Sequence, residues 1–187
     1  MPDGITRPAL VVVDVQNGFV NDRSRHAVPA IADLVAKWEA LGLPVVFTRY
    51  LNEPGSPYVQ YFGWSRFMDS PDVDLVPELT EAASRHAVVD KTGYSLFSED
   101  GARLVEKEGW RDLYFCGIAT ESCVLKSAVD AFERGYGPWI VTDASASDAG
   151  PDVHDAGLVV ARRTIGPRQL VTADALLRSV RGGPLHE

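Results

Sequence analysis

Between Asp112 and Tyr136 the hydrophobic rhythm of this chain changes once, and the change dictates a strand that feeds a helix. Leu113-Tyr114-Phe115-Cys116 is an unbroken apolar run with the composition of a buried strand. Gly117 interrupts it. Beyond the break, Leu125, Val129 and Phe132 recur at helical spacing, with Ala128 and Ala131 on the same half of the cylinder. Thr120 reads as the N-cap, and Glu121 puts a negative charge in the first turn. Cys123 then falls at N3, beside amides that lack intrahelical partners. That position predicts a thiol biased toward thiolate, with N–H donors at hand for an oxyanion. Taken alone, a cysteine there is more simply read as a small buried hydrophobe.

The rest of the chain repeats the strand-then-helix pattern. Ala9 to Val13 is a continuous apolar, largely β-branched run, as a strand buried on both faces requires. It ends at Asp14, and Val15-Gln16-Asn17-Gly18-Phe19 follows as a turn-forming cluster. Val28 to Leu41 carries one apolar stripe (Ile31, Leu34, Val35, Trp38, Leu41), with Pro29 in its first turn and Gly42 at its end. Pro44 to Thr48 is a second strand and Ala87 to Val89 a short third, with Lys91 directly after it. Ser98 to Gly109 reads as a helix capped by Ser98. Pro138 to Thr142 and Ile165 to Val171 supply strands five and six, and Asp152 to Arg163 and Ala173 to Val180 two further helices. Arg49 to Pro77 stays irregular. It is rich in aromatics (Tyr50, Tyr58, Tyr61, Phe62, Trp64, Phe67) that suit a pocket or an oligomer interface, and Trp64 is taken as a substrate-binding residue.

Such alternation implies a three-layer α/β/α fold with a parallel sheet and helices on both faces. With the first three strands laid out one way and the next three the other, the order is 3-2-1-4-5-6. Strands one and four then meet at the reversal, where a crevice opens beyond their carboxyl ends. Asp14 and the Cys123 turn sit at the mouth of that crevice. Lys91 lies on the same edge, with a stem long enough to reach inward. Thiol, carboxylate and ammonium together make a hydrolytic set: Asp14 accepts the thiol proton, Lys91 favours the thiolate, and the 119–123 amides hold the oxyanion. Each residue has a blander role open to it. Asp14 suits a turn cap and Lys91 a solvated charge. His154, the alternative base, suits a surface or capping position better.

Composition removes other classes. The chain has 187 residues, 45% of them hydrophobic, which suits one domain over residues 1–187. A formal net charge of -8 repels phosphate backbones, so no nucleic-acid partner is expected. The segment after strand one is not G-x-G-x-x-G, and no Walker lysine loop appears, which disfavours nucleotide binding. Two cysteines outside any C-x-x-C pair, and scattered histidines (His26, His86, His154, His186), fit neither a zinc site nor a disulfide scaffold. Cys116 lies within its strand and reads as structural. The N-terminal MPDGITRP lacks a basic n-region and a long apolar stretch, so a cytoplasmic protein with no membrane partner is expected.

Three stretches carry a family resemblance: Asp14-Val15-Gln16-Asn17-Gly18-Phe19, a D-x-Q-N-x-F box; Asp90-Lys91-Thr92-Gly93-Tyr94-Ser95-Leu96-Phe97; and Gly117-Ile118-Ala119-Thr120-Glu121-Ser122-Cys123-Val124. In this order, over about residues 8 to 180, the sequence resembles the isochorismatase-like cysteine hydrolases. The resemblance implies Asp14, Lys91 and Cys123 as a catalytic triad. It also implies a cis Ile118–Ala119 peptide that turns the Ala119 and Cys123 amides into an oxyanion hole, and Phe19 and Tyr94 as pocket-lining residues. A homo-oligomer, dimer or tetramer, acting on a small molecule is implied, with no cofactor. Nicotinamidases of the family carry an Asp-x-His metal motif just after strand two. Here that stretch reads Thr48-Arg49-Tyr50-Leu51-Asn52, so no metal is expected and nicotinamide is disfavoured. True isochorismatases generally lack the nucleophilic cysteine. Its presence favours hydrolysis of a C–N bond (amide, ureido or carbamoyl) through a thioester over vinyl ether hydrolysis with Asp14 as the acid. A non-catalytic binding protein on the same fold is the third reading.

Overall fold

The computed structural model describes residues 7–182, so the segment before Arg7 and His186 lie outside the described residues. The strands are β1 (Pro8–Val13), β2 (Val45–Tyr50), β3 (Ala87–Lys91), β4 (Asp112–Ile118), β5 (Gly137–Ala146) and β6 (Leu170–Val171). The helices are α1 (Val28–Glu39), α2 (Pro57–Phe62), α3 (Pro77–Ala83), α4 (Glu99–Glu108), α5 (Leu125–Glu133), α6 (Pro151–Thr164) and α7 (Ala173–Ser179). All six strands run parallel in the order β3-β2-β1-β4-β5-β6. This is the order expected from two runs of strands laid out in opposite directions from β1.

Side chains of β1 alternate between two hydrophobic layers. Leu10 and Val12 join Ile31, Leu34, Val35 and Trp38 of α1 and Leu176 and Leu177 of α7. Ala9, Val11 and Val13 join Val105 of α4, Ala128 and Ala131 of α5, and Leu158 and Ala161 of α6. The helices therefore cover both sheet faces, which is why β1 is apolar at every position. Ser98 caps α4 as expected, its side chain accepting from Gly101 N, and Gly109 closes the helix in a left-handed conformation.

Four elements differ from the sequence reading. The sixth strand, expected over Ile165 to Val171, is only Leu170–Val171, because Pro167–Gln169 winds as a 3-10 turn. The 49–77 connection is not wholly irregular: β2 continues to Tyr50, and Ser56 caps the short helix α2. The segment before β3 forms α3, whose Leu79 and Ala82 enter the core. And β5 runs four residues past Thr142, because its pairing with β4 shifts register between Phe115 and Gly117. At that shift Gly117 has φ +117, and a Cβ there would stand 2.1 Å from the Val13 carbonyl oxygen. Only glycine lets β1 and β4 approach so closely at the crevice.

Candidate active site

Asp14 is the first residue beyond β1, with φ +48, a left-handed conformation that costs energy for any side chain except glycine. Its surroundings hold it there. The Asp14 backbone N–H donates to the Thr48 carbonyl and hydroxyl oxygens at the end of β2 (3.3 and 3.2 Å). The Thr48 hydroxyl in turn donates to Asp14 Oδ1 at 2.6 Å. The other carboxylate oxygen accepts from Lys91 Nζ at 2.6 Å, and both side chains are fully buried. Lys91 is the last residue of β3, in register with Tyr50 of β2. Its ammonium also donates to the Gly93 carbonyl at 2.9 Å. Burial opposes the Lys91 charge, but Asp14 and Cys123 outweigh it, and its pKa lies above the ordinary lysine value.

Cys123 is a hydrogen-bonding neighbour of both charged groups. It sits in a turn that begins after a cis Ile118–Ala119 peptide. Residues Thr120–Val124 wind as a single π-type turn, in which Ser122 and Val124 N–H both donate to the Ala119 carbonyl at 3.1 Å. This corrects the simple N-cap reading. Thr120 does not cap the helix; its hydroxyl pairs with His154 Nδ1 at 2.7 Å. His154 therefore packs behind the turn from α6 and is not among the residues that line the cavity in front of Cys123. Nearby, Gly157 of α6 lies so close that a Cβ would come within 2.9 Å of Glu121 Cα.

The thiol also departs from expectation in its acidity. Burial pushes the Cys123 pKa well above the ordinary thiol value, Asp14 adds to the rise, and Lys91 offsets only part of it. The buried sulfur thus sits beside the Asp14–Lys91 ion pair, with burial working against its ionisation. Cys116 faces the α1 layer, fully buried, with its thiol raised by burial alone.

Cys123 forms the floor of a cavity of about 350 Å³, at the lower end of the small-molecule range. Phe19, Trp64, Tyr94 and Ala119 line it with Cys123, while Asp14 and Lys91 lie fully buried beside the sulfur and are not among the lining residues. Tyr50, Tyr58, Phe62, Ser122 and Asp148 complete the lining. The rings form one wall: Trp64 stacks near Phe19 (centroids 6.2 Å) and Tyr50 (5.8 Å), and Tyr58 meets Tyr94 edge-on at 5.3 Å. Two buried amides fasten this wall. Gln16 exchanges three hydrogen bonds of 2.8–2.9 Å with Tyr50 N, Tyr50 O and Val73 O. Asn52 donates to the Trp64 and Arg66 carbonyls at 3.0 Å and accepts from Ser56 Oγ at 2.6 Å.

Thr48, Gln16, Asn52 and Asp148 were not singled out from sequence. Asp148 follows the carboxyl end of β5, the neighbour of β4, and the strand-end rule finds it once β5 is given its full length. The other three are recognised only by what they touch.

The isochorismatase domain model matches residues 8–172. The chain is 27% identical over 183 residues to nicotinamidase 3 of Arabidopsis thaliana, covering 93% of this chain and 89% of that one. It is 31% identical over 178 residues to the ureidoacrylate amidohydrolase RutB of Pseudomonas syringae, covering 77% and 72%. The N-carbamoylsarcosine amidase structure from Thermoplasma acidophilum superposes with a TM-score of 0.77 at 25% identity, over 90% of this chain and 98% of that one. With a domain match over most of its length and this constellation at its sheet reversal, the chain belongs to the isochorismatase family.

Proposed function

We propose that this protein is a cysteine amidohydrolase that cleaves a C–N bond of a small amide, ureido or carbamoyl compound without a metal. The observation that carries the reading is the buried Asp14–Lys91 pair, 2.6 Å apart, set against the Cys123 thiol at the base of the aromatic cavity. Three relatives, named nicotinamidase, ureidoacrylate amidohydrolase and N-carbamoylsarcosine amidase, support a C–N substrate.

The chemistry starts from the Cys123 thiol and the Asp14 carboxylate beside it. As a carbonyl carbon reaches the sulfur, Asp14 takes the thiol proton and the S–C bond forms. Lys91 keeps positive charge beside the developing thiolate and, afterwards, beside the protonated carboxyl group. The Ala119 and Cys123 N–H groups receive the oxyanion. Collapse breaks the C–N bond, and the amine leaves with the proton held by Asp14. Water, deprotonated by Asp14, then attacks the thioester, and the sulfur regains its proton as the acid departs. No step calls on a metal. Side chains at and just past the carboxyl end of β2 already have partners: Thr48 holds Asp14, Arg49 binds Asp90 through two 2.8 Å bonds, and Asn52 pins the loop.

Ammonia release from a panel of small primary amides and carbamoyl compounds tests the proposal. Cys123→Ala should lower turnover by at least about a thousandfold with the fold intact by circular dichroism, while exhaustive EDTA treatment should leave the wild-type rate unchanged. Undiminished turnover in Cys123→Ala contradicts the covalent mechanism, and loss on chelation contradicts metal independence.

A further inference from the structure

The cavity's lining carries a charge preference. Its walls are the rings of Phe19, Tyr50, Tyr58, Phe62, Trp64 and Tyr94, whose faces are the negative ends of their quadrupoles. The one charged side chain among its described lining residues is Asp148, and no Arg, Lys or His is among them. Lys91 lies beneath Tyr50, 5.8 Å from the ring centroid, but it is held by Asp14 and Gly93 and fully buried. Arg66 is the cation whose field reaches Asp148, yet Asp72 engages its guanidinium through two bonds of 3.0 Å. No ion pair neutralises the Asp148 carboxylate among the described residues, and the carboxylate stands half-buried.

Building on the amidohydrolase reading, we propose that this cavity selects amides whose non-reacting part is cationic and rejects those bearing a carboxylate. Ring faces of Tyr58, Trp64 and Tyr94 hold the cation, and Asp148 reads its charge. A carboxylate in the same place would meet Asp148 and the ring faces with no cation to balance it, a desolvated charge without a partner. An ammonium or guanidinium group gains from both.

Three size-matched primary amides test this: trimethylammonioacetamide (cationic), 3,3-dimethylbutanamide (its neutral isostere) and succinamate (anionic). Calorimetric binding to Cys123→Ala and ammonia release by the wild type are measured side by side. The expected order in both is cationic over neutral by at least about tenfold, with the anion weaker than either. Asp148→Asn should lower the cationic-to-neutral ratio several-fold, through KM, and Asp148→Lys should reverse the order of cation and anion. Cation-selective binding with no turnover of any amide leaves the selectivity standing and removes the hydrolase reading. Turnover that ignores charge or favours succinamate, or a cation preference undiminished in Asp148→Asn, overturns the selectivity and leaves the hydrolase. Binding of none of the three at millimolar concentration also overturns it.

Discussion

The floor and the wall of the cavity are built on different principles. The floor comes from three strand ends: Asp14 after β1, Lys91 closing β3 and Cys123 in the turn after β4. Its geometry follows from the parallel order of the sheet, and its groups are locked by contacts between charged or hydroxyl side chains no longer than 2.6 Å. The wall comes mostly from one connection, between β2 and α3, with a single short helix and side-chain amides as fasteners. A floor fixed by topology changes little without loss of the fold. A wall fixed by a few hydrogen bonds is free to differ, and that is where a family built on one sheet sets its substrates.

The two regions should fail differently. Asp14→Asn removes the proton acceptor, and kcat should fall on the order of a thousandfold. Lys91→Met leaves a buried carboxylate without its partner, so it should lose activity on a similar scale and also about 3–5 kcal/mol of stability, read by urea unfolding. If either variant changes KM alone, the division between floor and wall is wrong. Trp64→Ala should do the opposite, raising KM by about tenfold with kcat within a few-fold, as expected for a lost stacking surface worth about 1–1.5 kcal/mol. The smallest effect concerns the thiol itself. Burial raises the Cys123 pKa above that of the unfolded chain, so at any pH near 8 the folded protein carries less thiolate. Without substrate, iodoacetamide should therefore label Cys123 several-fold more slowly in the native protein than in urea, with the native rate still climbing above pH 9. A native rate that is faster and flat from pH 7 would show a thiolate already formed at rest.

The sequence announced the floor more clearly than the wall, for a physical reason. An apolar run buried on both faces specifies a parallel strand, and with the first three strands laid out one way and the next three the other, the ends of β1 and β4 meet. Lys91 was harder. Its placement at a carboxyl edge was legible, but that its stem turns inward depends on the Asp14 carboxylate waiting there. The acidity of Cys123 was misread because position in a helical turn is a local property and burial is a global one; here desolvation outweighs the dipole. In the wall, six aromatics marked the connection, but Gln16 and Asn52, which shape it, bond to backbone atoms far along the chain. No local pattern encodes such a partner.

The central claim is that the Cys123 sulfur, not the Asp14 carboxylate or a metal-bound water, attacks the carbonyl. Rapid acid quench during turnover of a hydrolysed amide, followed by mass spectrometry of the tryptic peptide Asp112–Lys126, tests it most directly, since that peptide carries both cysteines. The account predicts an acyl adduct on Cys123, none on Cys116, and disappearance of the adduct as substrate is exhausted. Turnover at full rate with both thiols unmodified at every quench time would contradict it.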